Sequence, residues 1–382
     1  MAEALVFLAF LSLGLTLATS VAVPVHLRRK RRGAGPRPPI SVLKPLKGVD
    51  DGLFENLASF AAQRYPRFEL VFGVADPRDP ALEVVERLRR AFPGTAIRVS
   101  TCAPELGRNP KVNNLTAISR LASHPYWLIS DSNTRVHPDY LADTVAEFKD
   151  PHVGLVTNVL AGVGEKGLGA LLENLHLDSF VASAVCAAEI VRSPIVIGKS
   201  MLFRHRDLAA AGGLEGVRDV LAEDHALGLR FRKHGFRVAL SPHVVTTVNE
   251  RWRLRSFLNR HLRWGQIRRR MAPLAFFTEP LLQPTWWAVA LAAAGRPTLA
   301  GAIVLTKVVS DLLVARRLRG VSFPPRGLLL IPLKDLLVAA LWLVAAFRRR
   351  VHWRGNSLVL GPGTRLLDGA PKRRAKPTLA HT

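Results

Sequence analysis

Three aspartates, one lysine with two amides, and a cationic-aromatic trio are the residues of this chain best placed for chemistry. Asp131 is followed by Ser132 and Asn133, an oxygen-rich trio suited to a hard cation shared between protein and phosphate oxygens. Asp76 closes the apolar run "ELVFGVAD" as Asp131 closes "YWLISD". A lone aspartate after a strand is an ordinary turn former. Two at equivalent ends of parallel strands stand where such sheets collect ligands. In "GRNPKVNNL", Lys111 and Asn114 lie where a helix begins, and a helix N-terminus beside a lysine suits an anion.

The segment "LAEDHALG" opens another helix with Glu223 and Asp224. The helix dipole accounts for one acid in a first turn and does not require two. If Asp224 faces the same cleft as Asp131, its carboxylate is placed as a general base. In "RHLRW", Arg260, Arg263 and Trp264 are spaced i, i+3 and i+4 and share one helix face. Arginine suits a diphosphate because its planar fork makes paired hydrogen bonds.

These residues need a scaffold. "ISVLKPL", "FELVFGVAD", "AIRVSTC" and "YWLISDSN" read as strands, with helical stretches near 54–63, 81–91, 111–121 and 140–148 between them. That alternation predicts an α/β fold with a largely parallel sheet. Strands near 153–160 and 195–203, a long helix near 168–190 and "RVALSPHVVTTV" follow. The cationic stretch "RWRLRSFLNRHLRWGQIRRRMAP" has apolar positions at helical spacing and predicts a helix in a membrane interface.

The run Ala4 to Val25 carries no charge and is followed by "RRKRR". About 20 such residues span a bilayer. The cations follow the run instead of preceding it, which favours an anchor over a cleaved signal peptide and places the rest of the chain in the cytoplasm. Further apolar runs at 281–294, 298–315 and 327–347 predict two to three membrane-embedded segments. Lys307 and Asp311, within one of them, are spaced to pair. The formal charge is +25, from 54 Lys plus Arg against 29 Asp plus Glu. Its clusters flank the apolar runs, as expected at an anionic membrane surface. No pattern of base-reading residues accompanies them, which argues against nucleic acid as a partner. Two isolated cysteines, Cys102 and Cys186, suit a reducing compartment and suggest neither a disulfide framework nor a zinc site.

In order and spacing, "DPRDPA", "NPKVNNL", "ISDSNTRV", "AGGL", "LAEDHALG" and "RHLRW" resemble segments of the membrane-bound family 2 and family 21 glycosyltransferases, in particular the ceramide glucosyltransferase type. The resemblance runs from Ile40 to Pro273 and more faintly to "WRGNSLVL" at Trp353. It implies a GT-A-like nucleotide-sugar-binding domain. Asp76, Lys111, Asn114, Asp131, Arg260, Arg263 and Trp264 would bind a UDP-sugar donor, Asp76 at the uridine and the RxxRW residues at the diphosphate and acceptor end. Asp131 and Asn133 would hold a divalent cation, Mn²⁺ or Mg²⁺, and Asp224 would be the base. The acceptor would be a hydroxyl of a membrane lipid such as ceramide, and the product a β-linked glycolipid. A hopanoid or diacylglycerol glycosyltransferase, including N-acetylglucosamine transfer, uses the same parts. A processive polysaccharide synthase shares a related QxxRW motif, in which Arg260 replaces the Gln.

The expected organisation is an anchor at 1–27, a basic Pro-rich linker at 28–39 and a catalytic domain at 40–250. An interface helix at 251–275, membrane segments at 276–350 and a cytoplasmic basic tail at 351–382 complete it. The preference for Arg over Lys points to a GC-rich genome, and with the anchor to a bacterial inner membrane. Nothing in the sequence specifies an oligomeric state.

Overall fold

The structure, a computed structural model, describes residues 2–29, 35–353 and 356–367, with backbone alone at 352, 353, 356 and 357. Strands β1 (Ile40–Pro45), β2 (Phe68–Gly73), β3 (Ala96–Ser100) and β4 (Tyr126–Ile129) pair in parallel in the order β3-β2-β1-β4. Short β5 (Thr134–Arg135), long β6 (Val153–Val163), β7 (Met201–Arg204) and β8 (Arg237–Val248) extend the sheet to eight strands, ordered β3-β2-β1-β4-β7-β6-β8-β5. β7 runs antiparallel to both β4 and β6, and β5 is antiparallel to β8. The expected α/β class is thus realised with a mixed sheet.

Side-chain alternation explains why these strands read as continuous apolar runs. Val42, Leu70, Phe72 and Leu128 face one side, against α2 (Leu53–Ala61), α3 (Ala81–Ala91) and α5 (Tyr140–Val145), which follow α1 (Ala2–Leu27) in the chain. Leu43, Val71 and Ile129 face the other, against α4 (Pro110–Ser119), α8 (His205–Ala210) and α9 (Glu223–Lys233). Asn109 caps α4 by accepting from the backbone N–H groups of Lys111 and Val112, with Pro110 in the first turn.

The helix expected near 168–190 forms as α6 (Leu168–His176) and α7 (Ala182–Ile190), joined by one π-type turn at Leu177–Val181. The strand expected at 195–203 is shorter. Residues before Met201 turn instead, with Ile197 bonded through both N–H and C=O to the Thr157 hydroxyl and Ser200 N–H donating to Ile197 C=O. That turn aims Gly198 and Lys199 at the acids.

The membrane-like part comprises α1, α10 (Leu254–Met271), α11 (Pro273–Thr278), α12 (Pro284–Ala293), α13 (Pro297–Arg319) and α14 (Arg326–Phe347). α1, α13 and α14 are long and apolar enough to cross a membrane. Ala9 and Leu13 of α1 pack with Ala288 and Leu291 of α12 and Ala300 and Ile303 of α13. Near its other end, Val23 joins Val159, Leu240 and Val314, so the anchor is fastened to the sheet. Phe7, Phe10, Leu305, Leu313, Leu329 and Phe347 remain exposed, an apolar belt suited to lipid.

The predicted Lys307–Asp311 pair forms and is enlarged. Asp335 lies 2.8 Å from Lys307 and 2.9 Å from Lys334, and Lys334 lies 3.5 Å from Asp311. Two ammonium and two carboxylate groups neutralise one another between α13 and α14, which is how charge survives at such depth.

The segment expected to be a basic tail from residue 351 is structured over its first part. β9 (Arg350–Trp353), β10 (Asn356–Leu360) and β11 (Leu366–Leu367) form a separate antiparallel sheet, and 368–382, with the basic residues from Lys372, lie outside the described residues. Gln266 of α10 holds it by donating to the carbonyls of Arg348 and Arg350 at 3.1 and 2.9 Å. Its far end bonds the loop ahead of α9, with Leu221 N–H donating to Thr364 and Leu366 N–H to Asp219.

Candidate active site

Asp131 lies two residues past β4, at the carboxyl edge of the parallel strands. Its Oδ1 is 2.9 Å from the Lys111 ammonium, and Lys111 is also 2.9 Å from Glu223 Oε1. Burial alone would lower the Lys111 pKa, but the carboxylates of Asp131, Glu223 and Asp224 overcome it and hold the group above its ordinary value. Lys111 is therefore a fixed cation joining β4 to the start of α9. Asn109 Nδ2 steadies the same Glu223 from 3.3 Å and donates to Val220 C=O at 2.7 Å.

Glu223 thus does more than answer a helix dipole. It is 5% exposed and belongs to the site's ionic frame. Asp224 is half-buried and held by two backbone donors, Gly198 N–H at 2.8 Å to Oδ2 and His225 N–H at 2.8 Å to Oδ1. A Cβ at Gly198 would stand 2.7 Å from that Oδ2, so the approach requires glycine.

The next residue, Lys199, returns to Asp131. Its ammonium is 3.3 Å from Asp131 Oδ2 and donates to Asn133 Oδ1. The Asn133 amide nitrogen donates to Val248 C=O at 3.4 Å and Asn249 Oδ1 at 3.3 Å, which turns its oxygen inward. Burial lowers the Lys199 pKa, with Asp131 opposing the shift. Behind these groups, fully buried Lys44 donates to Ser130 Oγ at 3.1 Å and to Asp131 C=O at 2.8 Å, 3.6 Å from the centre of the Phe60 ring.

Asp131 and Asn133 already converge on a positive charge, so their donor types and placement fit a cation. Among the described residues no group of three or more His, Cys, Asp and Glu side chains could hold a metal ion unaided. The set fits an ion whose remaining ligands come from phosphate and water.

Arg260 lies beside this frame with its guanidinium between the Trp252 and Trp264 rings, 5.0 and 4.5 Å from their centres. Its Nε is 3.4 Å from the fully buried Glu173, whose other oxygen meets His261 Nε2 at 2.8 Å. Burial would raise the Glu173 carboxyl, but Arg260 and His261 hold it below its ordinary range. Arg263, on the same helix, is half-buried and engaged.

Two of the candidate residues stand apart. β2 ends at Gly73, so Asp76 lies in the following turn, exposed, and accepts from Arg78 N–H at 2.9 Å. Asn114 is buried at the back of α4, where its amide donates to Gly73 C=O at 2.8 Å; among the described residues its Oδ1 has no hydrogen-bond partner. Its position ties helix to strand. Lys44, Glu173, Gly198 and Lys199 enter the site without having been singled out. The signal for Lys44 and Lys199 was a lone cation within an apolar run, "ISVLKP" and "IVIGKSM", since a buried charge needs a partner.

Residues 4–366 match the family described as Glycosyl transferase family 21. The chain belongs to that family. Two similar proteins come from Caenorhabditis elegans. Ceramide glucosyltransferase 3 is 26% identical over 354 residues, covering 90% of this chain and 77% of that protein. Ceramide glucosyltransferase 1 is 30% identical over 245 residues, covering 64% and 53%. Among solved structures, the mannosyltransferase PcManGT from Pyrobaculum calidifontis, in complex with GDP-Man and Mn²⁺, has a TM-score of 0.48 at 21% identity, covering 88% of this chain and 99% of that one. This family 21 chain is a glycosyltransferase, and its acids and lysines meet at one edge of the sheet.

Proposed function

We propose that this family 21 chain transfers a hexose, most simply glucose, from a UDP-sugar to a hydroxyl of a membrane lipid such as ceramide. The observation that carries the reading is the Lys111 ammonium 2.9 Å from both Asp131 and Glu223, with Asp224 adjoining. It gathers a cation-seeking carboxylate and a candidate base beside Arg260, in a chain with helices long and apolar enough to hold it at its lipid substrate. The names of the ceramide glucosyltransferases similar to it support the acceptor class.

In this reading Asp224 takes the proton from the acceptor hydroxyl as that oxygen bonds the anomeric carbon. The bond from that carbon to the diphosphate breaks, and UDP leaves with its electron pair. One displacement inverts the centre, giving a β-linkage from an α-linked donor. Gly198 and His225 N–H groups orient Asp224 for the transfer. Lys111, Lys199 and Arg260 set a positive field for the leaving diphosphate. A divalent cation bound at Asp131 and Asn133 would add charge stabilisation there. The cations from Arg28 to Arg32, after α1, support a catalytic domain on the cytoplasmic side, and the Arg-rich composition suits a bacterial inner membrane.

The test is transfer by detergent-purified protein from UDP-glucose to ceramide, diacylglycerol or a hopanoid, read by mass spectrometry and the anomeric NMR coupling. A β-hexosylceramide is expected. Transfer to another lipid would move the acceptor, and no transfer to any of the three would overturn the reading.

A further inference from the structure

Lys199 occupies an unusual place for a buried cation. Its ammonium lies against the same two side-chain oxygens, Asp131 Oδ2 and Asn133 Oδ1, that are the candidate ligands of a divalent cation. The other Asp131 oxygen is taken by Lys111. The Lys199 side chain is 9% exposed, so water competes little for it.

The backbone that carries it is anchored on both sides. Gly198 N–H is held by Asp224. Ser200 Oγ donates to Asn158 Oδ1 at 2.6 Å and shares a 2.5 Å hydrogen bond with the Tyr140 hydroxyl. Only the flexible four-carbon stem can move. An ammonium and a divalent ion cannot share one pair of oxygens, because they repel and compete for the same lone pairs. Arg260 adds to the positive charge that Lys111 already brings to the neighbourhood. A bare cation entering this site therefore has to displace Lys199 toward Glu173, an acid already paired with Arg260 and His261. A nucleotide diphosphate changes that balance by offering oxygens to both.

We propose that Lys199 is an internal competitor that makes divalent-cation binding at Asp131 and Asn133 conditional on the nucleotide diphosphate, which takes over the ammonium when it arrives. The proposal rests on the functional reading above for the location of the cation. By linkage, UDP and the cation then strengthen each other's binding by one common factor, part of which is the release of Lys199.

The experiment measures Mn²⁺ binding by electron paramagnetic resonance on the full detergent-purified chain, with and without UDP. The wild type is expected to bind Mn²⁺ at least ten times more tightly with UDP present. Lys199→Met should tighten nucleotide-free Mn²⁺ binding at least tenfold and shrink the gain from UDP. Lys199→Arg, which keeps the charge, should retain the wild-type pattern and guards against a merely structural effect. Asp131→Asn should abolish the UDP-dependent Mn²⁺ signal. The proposal is overturned if Lys199→Met binds nucleotide-free Mn²⁺ no tighter than wild type, if Lys199→Arg behaves like Lys199→Met, or if Asp131→Asn leaves binding intact. None of these readouts involves a sugar or an acceptor lipid. Loss of the glycolipid product with this pattern preserved would sink only the transfer reading.

Discussion

Gly198 and Asp224 are in such close contact that the backbone N–H of one donates to Oδ2 of the other at 2.8 Å and no side-chain carbon fits between them. A residue ahead of β7 thereby sets where the carboxylate at the start of α9 points. Gly198→Ala should push Asp224 aside and lower kcat by ~10-fold or more, since displacements on the order of 1 Å can cost ~100-fold. UDP affinity should stay within about twofold. Steady-state kinetics with direct nucleotide binding check this, and unchanged kcat would remove Gly198 from the positioning role.

The two adjacent acids should separate by phenotype. Asp224→Asn cannot take a proton, and a base role predicts a kcat loss of ~10² to 10⁴-fold with UDP binding and melting temperature retained. Glu223→Gln should instead destabilise the fold, because breaking a buried pair typically costs ~3–5 kcal/mol. Lys111 keeps Asp131, which places the effect toward the lower end. Thermal melts and single-turnover transfer on both variants distinguish the roles.

Chelation should abolish transfer, and Mn²⁺ or Mg²⁺ should restore it. Full turnover in excess chelator, after the protein has been stripped and metal content verified, would take Asp131 and Asn133 out of the cation-binding role.

Asp335→Asn should be strongly destabilising, since Lys307 and Lys334 would then face a single carboxylate, Asp311. A loss of ~3–5 kcal/mol is expected from uncompensated buried charge. Adding Lys334→Met should recover part of it by restoring neutrality. Melting temperatures in one detergent give the comparison; a single variant as stable as wild type would contradict the four-charge account.

Stability should also fall in acid partly through His176. The ring is 2% exposed, and among the described residues neither nitrogen has a hydrogen-bond partner. Burial, with His261, Lys334, Arg268 and Lys307 nearby, holds its pKa well below the ordinary value. The unfolded chain takes up a proton below about pH 6.5 that the folded chain refuses, so stability is present above that pH and is lost as pH falls. The contribution is at most ~1.4 kcal/mol per pH unit. His176→Phe should flatten the melting-temperature profile between pH 7 and 5, and an unaltered slope would exclude this residue as a source.

The sequence by itself determined what depends on neighbours along the chain. Apolar runs became β1 to β4, the amphipathic stretch at 81–91 became α3 over the same residues, and helical spacing brought Lys307 to Asp311 because side chains four apart lie on one face. The motif order also placed the chain in its family. What only the tertiary structure decided is which charges share a space. The long-range pairs Lys111–Glu223, Lys199–Asp131, Arg260–Glu173 and Lys334–Asp311 join residues from separate elements, and no local periodicity encodes the direction of one element relative to another. Glu223 and Asp224 show the limit most plainly. Both satisfy the same dipole rule, yet neighbours on a helix point in different directions, so one is buried against Lys111 while the other meets the Gly198 N–H.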